Sequence, residues 1–170
     1  FTGNTLFNKE VLLRVFGMQQ GEVFNGELIR KGFENLKKIY GSQGYINFTP
    51  IPRQDIDDEA KLVNVVFDFD EGHRYRLRRL DFVGNTTTRD NVIRRELRLY
   101  ENGIFNTEAL KYSVRRLNQL GYFKALEGPP KDVVFEKTPG VDGKMDVKFT
   151  LEEQNRNQLS FGAGVSQFEG

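Results

Sequence analysis

Few side chains in this sequence have the type and spacing that chemistry needs. His73 is the one histidine and there is no cysteine, so a histidine-rich or thiolate metal site is out of reach, and any nucleophile–imidazole pair must form around that single ring. No nucleophile, base and orienting group can be named together. An enzyme is therefore not expected, nor a cofactor or a bound metal, and His73 reads as a linker residue. The acidic run DIDDE at residues 55–59 has the charge for calcium but lacks the spacing and turn glycine of an EF-hand loop. It reads as the solvated tip of a hairpin. The densest cluster is cationic: Arg94, Arg95 and Arg98 stand with Glu96 and Glu101 around one amphipathic segment. Such guanidinium groups offer planar, two-pronged pairing to carboxylates on a partner, against the plainer reading of a solvated helix face.

Two glycine patterns resemble backbone clamps. Gly41-Ser42-Gln43-Gly44 has the GxxG form with which a KH domain holds a nucleic-acid backbone, but it follows a second helix instead of joining two, and is read as a helix end and turn. Phe-x-Gly-Asn-Thr occurs at Phe1 and again at Phe82, in neither place with the Gly-Lys-Ser/Thr of a phosphate loop. It heads a longer repeat. Shifting the chain by 81 positions pairs Val11 with Val92, Arg14 with Arg95, Phe24-Asn25 with Phe105-Asn106, Glu27 with Glu108 and Leu36 with Leu117, without a gap. A period that long makes each copy a small domain with its own core, not a stacking solenoid unit.

The elements follow from the periodicity. In copy two, Tyr75, Leu77, Leu80 and Phe82 form a roughly alternating strand that leaves through Gly84-Asn85, with glycine and asparagine supplying left-handed backbone. Thr87 or Thr88 is expected to cap a first helix whose inner stripe is Val92, Ile93 and Leu97. Asn8, with Val11, Leu12 and Phe16, does the same in copy one. Asn25 and Asn106 cap the second helices, which carry Leu28, Ile29, Phe33, Leu36 and Ile39 in one copy and Leu110, Val114 and Leu117 in the other. Gly44-Tyr45 and Gly121-Tyr122 lead into extended segments at residues 45–49 and 122–126, the first ended by Pro50 and Pro52. Val63, Val65, Phe67 and Phe69, like Met145, Val147, Phe149 and Leu151, alternate as a final strand. Each copy is thus a two-layer α+β unit of order β-α-α-β-β, a three-stranded sheet with both helices on one face, with copy one lacking its first strand. The expected boundaries are residues 1–72, 73–153 and a hinge with a further strand at 154–170. Such a sheet leaves edges open, and an open edge is a template for another extended chain.

With 38% apolar and 12% aromatic residues the chain can build such cores, and 25 basic against 24 acidic side chains give no global field to draw nucleic acid or an anionic membrane. There is no apolar run of membrane-helix length. The start at Phe1, without a signal segment, reads as an excerpt from a longer protein. After the polar EEQNRN stretch, Leu159, Phe161, Ala163 and Val165 alternate with Ser160, Gly162, Gly164 and Ser166. Apolar side chains on one side and small or polar ones on the other are the pattern of a membrane-facing barrel strand.

VVFDFDEG followed by HRYRLRRLDFVGNT, then NVIRRELRLYENGIFN, RRLNQLGYF and VKFTLEEQNRNQLSFGAGVSQFEG, together resemble tandem POTRA (polypeptide-transport-associated) domains running into the first barrel strand of outer-membrane assembly factors. The resemblance covers essentially the whole chain. It implies the last two such domains, each a three-stranded mixed sheet packed against two antiparallel helices, in the periplasm of a Gram-negative bacterium, forming a scaffold for insertion of outer-membrane β-barrel proteins. It also implies partners: unfolded outer-membrane precursors taken up by edge pairing, accessory assembly lipoproteins, the outer membrane itself through a barrel, and no nucleic acid. The expected client-pairing edge is Tyr45, Ile46, Asn47, Phe48 and Thr49, and the expected lipoprotein-facing patch is Arg94, Arg98 and Glu101. A related reading keeps the fold but makes it the POTRA module of a two-partner secretion or autotransporter-assembly transporter; one of another class is an RNA-binding βααββ module. One departure stands out: Gly128-Pro129-Pro130 interrupts what the family makes a single second strand, and proline cannot donate to a ladder.

Overall fold

The computed structural model of the chain describes residues 1–154; the barrel-strand assignment at Leu159, Phe161, Ala163 and Val165 lies outside them. Copy one contains α1 (Lys9–Phe16), α2 (Gly26–Ser42), β1 (Thr49–Asp57) and β2 (Leu62–Asp70). Copy two contains β3 (Arg76–Val83), α3 (Asp90–Arg94), α4 (Thr107–Leu120), β4 (Val133–Lys137) and β5 (Lys144–Thr150). In copy two the sheet order is β3-β5-β4, with β3 parallel and β4 antiparallel to the central β5. Copy one pairs β1 with β2 antiparallel, and Thr2 makes one parallel bridge to Asp68. That bridge repeats the last step of the β3–β5 ladder, where Val83 pairs with Thr150.

Two separate cores form. Leu12, Phe16, Ile29, Leu36, Tyr40, Phe48, Phe67 and Phe69 close the first, with Phe16 stacked on Phe67 at 4.9 Å and Tyr40 on Phe48 at 3.9 Å. Leu77, Leu80, Ile93, Phe105, Leu117, Val133, Val147 and Phe149 are among the residues closing the second. The alternating final strands and the helix stripes therefore face inward as periodicity requires, except Val11, which is 39% exposed. A bulge between Leu77 and Arg79 accounts for the imperfect alternation of β3.

Several local expectations are overturned. Residues 45–48 form a turn, not a strand, and the strand starts at Thr49 and runs through both prolines. Two different demands produced the misleading alternation: Phe48 goes into its own core, while Ile46 packs against the core of the other copy. Residues 122–126 are not a strand either. Phe123 makes an isolated bridge to Glu153, and the ladder resumes at Val133 opposite Phe149. The chain thus spends ten residues where its partner spends four, and the excess bulges out around Gly128 and the two prolines. Asn118 pins the excursion by bonding both the amide and the carbonyl of Leu126. The first helix of copy two has only five residues, with Arg89 at its N-cap and no side-chain cap bond. The Asn caps at Asn8, Asn25 and Asn106 hold.

Candidate functional site: two unequal sheet margins

The repeated Gly-Asn-Thr turn is a self-binding anion cradle. Only its glycine is left-handed, φ 74° at Gly3 and 91° at Gly84, where a Cβ would lie 2.2 Å from the Phe69 carbonyl oxygen and 1.9 Å from that of Leu151. The asparagines instead donate forward, Asn4 to the Phe7 carbonyl and Asn85 to that of Thr88. The amides that follow face a carboxylate at the end of the copy's last strand. In copy one Glu71 accepts from the Thr5 and Leu6 amides at 2.9 and 3.1 Å, from the Thr5 hydroxyl, and from the Tyr40 hydroxyl at 2.7 Å. In copy two Glu153 accepts from the Thr87 and Thr88 amides and from the Thr86 and Thr87 hydroxyls. Thr87 and Thr88 are thus occupied here instead of capping α3.

The two carboxylates differ in setting. Burial would raise the Glu71 carboxyl, but the Thr5 and Tyr40 hydroxyls and the Leu6 and Thr5 amides outweigh it and hold the group below its usual range. Burial, with Glu71 beside it, pushes the Tyr40 phenol well up. The bonds from Thr87, Thr88 and Thr86 hold Glu153 down at about 2. The counterpart of Tyr40 in copy two is Gly121, which ends α4 in a left-handed cap, so the Tyr40 phenol is not repeated at that position.

The margins decide what else the sheets can bind. Thr2 exchanges bonds with Phe67 and Phe69 on one side of β2, so Phe67 and Phe69 cannot also bond β1, and their cross-strand neighbours Pro52 and Pro50 turn their nitrogens to the outer edge of β1. The same alternation turns Gln54 and Ile56 outward. This edge therefore has carbonyl acceptors along its length, but amide donors only at its far end. Residues 58–61 form the hairpin turn, with Asp57 accepting from the Ala60 amide, and Ile56 is 62% exposed.

In copy two, Thr150 donates to the Asp132 carbonyl and Thr138 to that of Lys144, which fixes the phase of the β4–β5 ladder. Phe135 and Lys137 consequently present both amide and carbonyl to the outside, with no proline between them, whereas Val133, turned the same way, is fully buried. The opposite margin, along β3, is sealed by its own chain. Gly103 and Asn102 bond Leu77, Phe105 bonds Tyr75, and the Glu101 carboxylate accepts from the Leu80 amide at 2.9 Å while Arg94 donates to the Leu80 carbonyl. Arg94 and Glu101 also pair at 3.2 Å. The Leu80 amide, with Arg94 close by, holds the Glu101 carboxyl below its usual range.

The expected sites are thus rearranged. Tyr45, Ile46, Asn47 and Phe48 offer no strand edge, and only Thr49 lies on one. Arg94 and Glu101 close a margin of their own sheet, whereas Arg98 stacks 3.7 Å over Tyr112 and stays exposed beside Tyr100, itself 70% exposed. His73 is exposed in the connection from β2 to β3. No group of three or more metal-ligating side chains occurs among the described residues, and no helix there is long and apolar enough to cross a membrane.

Comparison with known proteins adds the family context. A profile for POTRA, described as surface antigen variable number repeat, matches residues 1–72 and again 75–154. The outer membrane protein assembly factor BamA of Neisseria meningitidis serogroup B is 29% identical over 168 residues, covering 95% of this chain and 20% of that protein. That of Buchnera aphidicola is 24% identical over 169 residues, 99% of this chain and 26% of the relative. The chain spans about a quarter or less of the length of these relatives. Among solved structures, Haemophilus influenzae BamA POTRA3-5 superposes with a TM-score of 0.67 at 26% identity, over 85% of this chain and 54% of that one. BamA from Haemophilus ducreyi lacking POTRA domains 1–3 reaches 0.79 at 23% identity, over 91% and 28%.

Proposed function

Because the chain belongs to the POTRA family, in two consecutive copies of BamA type, we propose that it is a periplasmic scaffold for assembly of outer-membrane β-barrel proteins, taking up unfolded client segments as an added strand. The observation that carries the reading is the β4 margin beyond the buried Val133: outward amides and carbonyls at Phe135 and Lys137, to which no backbone bond from another segment is made among the described residues. Each backbone bond nets about 0.5–1.5 kcal/mol. A few of them give weak, sequence-tolerant capture, which suits a scaffold whose clients must leave. The β1 margin is the poorer acceptor, since Pro50 and Pro52 remove two donors from it. Accessory lipoproteins dock, in this reading, on the exposed guanidinium of Arg98, stacked over Tyr112, and on the exposed Tyr100.

An RNA-binding role has less support. The open face of the second sheet carries Arg76, Arg78, Asp146 and Lys148, and no ring on which a base could stack. The decisive test is amide NMR during titration with an unfolded segment of an outer-membrane β-barrel protein. Shifts should concentrate at Phe135 and Lys137, and Lys137→Pro should weaken binding without unfolding the domain; shifts confined to the helices would sink edge pairing. For the lipoprotein face, Arg98→Glu should reduce pull-down of the assembly lipoproteins, and undiminished capture would refute that part alone.

A further inference from the structure

The GxxG turn has a second employment besides ending α2. Gly41 sits where the C-terminal end of α2 meets the first turn of α4, and a Cβ on it would lie 2.3 Å from the Thr107 hydroxyl oxygen and 3.4 Å from Thr107 Cβ and Cγ2. Gly44 is equally confined by the other copy: φ is 92°, and a Cβ would lie 2.8 Å from the Tyr75 carbonyl oxygen and 3.0 Å from Ile104. Between and after these glycines the turn is bonded to copy two. The Gln43 carbonyl accepts from Arg74 at 2.9 Å, and the Gly44 carbonyl accepts from the Tyr75 amide at 2.9 Å. Two residues on, Ile46 adds its side chain to the second core.

The helix end contributes in the same sense. The negative end of the α2 dipole approaches the positive end of that of α4, a favourable arrangement within about one turn. Next to this contact lies an open cleft of about 260 Å³, lined by Lys37, Lys38 and Lys111 with Glu34, Glu108 and Thr107 itself. The joint is also tied to the chain exit of copy one. Tyr40, the residue before Gly41, donates to Glu71, and Gly72 follows at φ 65°. Copy two has Leu120-Gly121-Tyr122 at the matching place, which keeps the helix-ending glycine but not the GxxG pair.

We propose that residues 41–46 are a locking joint that makes the two copies one rigid arm, so that the β1 and β4 margins keep a fixed mutual position. Small inter-domain contacts ordinarily allow relative motion; here Gly41 admits the Thr107 side chain and Gly44 the Tyr75 carbonyl at distances that a Cβ would not permit. The proposal is independent of what the margins bind.

The absence of cysteine makes the test clean. Spin labels at Asn64→Cys and Lys148→Cys, both exposed and one in each copy, should give a single narrow distance distribution in the otherwise native chain. Gly41→Ala should leave both copies folded by circular dichroism but widen the distribution about twofold or more. Adding Thr107→Gly, which removes all three atoms that the new methyl would strike, should restore the narrow distribution. A native distribution already broad, or one unchanged by Gly41→Ala, would overturn the joint. So would a double variant that is still unfolded or still broad, because Gly41 would then serve copy one alone.

Discussion

Copy one and copy two build the same layers from the same pattern but leave different margins. Copy two completes its sheet, seals the β3 side with residues 101–105 and Arg94, and leaves β4 open beyond the buried Val133. Copy one has β2 backed only by Thr2, and its bare strand β1 is blunted by Pro50 and Pro52. Edge strands are aggregation-prone unless blunted, and proline is a common way of doing so. The difference teaches that duplication preserves what the core needs, alternating apolar side chains and the carboxylate cradle, while the edge is free to diverge.

The largest effects should come from the two cores. Leu36→Ala and Leu117→Ala each remove a fully buried side chain and should cost about 2–5 kcal/mol in denaturant unfolding. A markedly smaller loss at Leu36 would mean that the incomplete sheet lets its core relax, sharpening the contrast between copies. Next come the cradle glycines. Gly84→Ala and Gly3→Ala drive a methyl into a carbonyl oxygen at positive φ, and backbone strain of that kind runs to about 1–3 kcal/mol. Gly84 should be the costlier, since its turn closes a full ladder while Gly3 follows one bridge; equal losses in thermal melts would contradict that ranking.

Glu71→Ala leaves the Tyr40 phenol and two amides without their acceptor, a loss of about 1–3 kcal/mol. Glu153→Ala should cost less, because its donors are open to water. The same pair predicts the acid response. Both carboxyls sit lower in the folded chain than in the unfolded one, so the unfolded state takes up protons first and stability falls with pH. For Glu153 the contribution is complete above the ordinary value of 4.5 and is lost as pH falls towards about 2. Glu153→Gln should therefore flatten the acid limb of a melting-temperature profile, and an unaltered limb would show that the cradle does not hold the charged form.

The smallest effect probes the margins directly. Pro52→Val returns one outward donor to β1 and should strengthen binding of an extended client peptide there by the value of one bond, about 0.5–1.5 kcal/mol. Isothermal titration resolves that difference. No gain would mean that something other than missing donors makes β1 the poorer edge.

Much of this architecture was legible in the sequence because repeat, caps and alternation are local signals. The asparagine caps and the inward faces of β2 and β5 follow from them. Failures came where a side chain answers to a distant part of the chain. Ile46 and Phe48 alternate like a strand, yet one belongs to the neighbouring copy's core. Thr87 and Thr88 look like caps because the acceptor they serve, Glu153, is 66 and 65 residues away. A signal for it was present: Glu71 and Glu153 each stand just past the last apolar residues of the final strand, and comparing copies there would have paired them with the two Gly-Asn-Thr turns. The sealing role of Arg94 and Glu101 had no such signal, since it depends on where a bulge brings Leu80.

The excursion around Gly128 offers a practical opening. It hangs from the Asn118 side chain and lies between two separate stretches of pairing, so its length is set by neither. Lengthening a loop costs little, about 0.6 kcal/mol for each doubling. A fluorophore or photo-crosslinker introduced at the exposed Lys131 would therefore sit near anything arriving along β4, and would turn this piece of spare chain into a reporter of traffic.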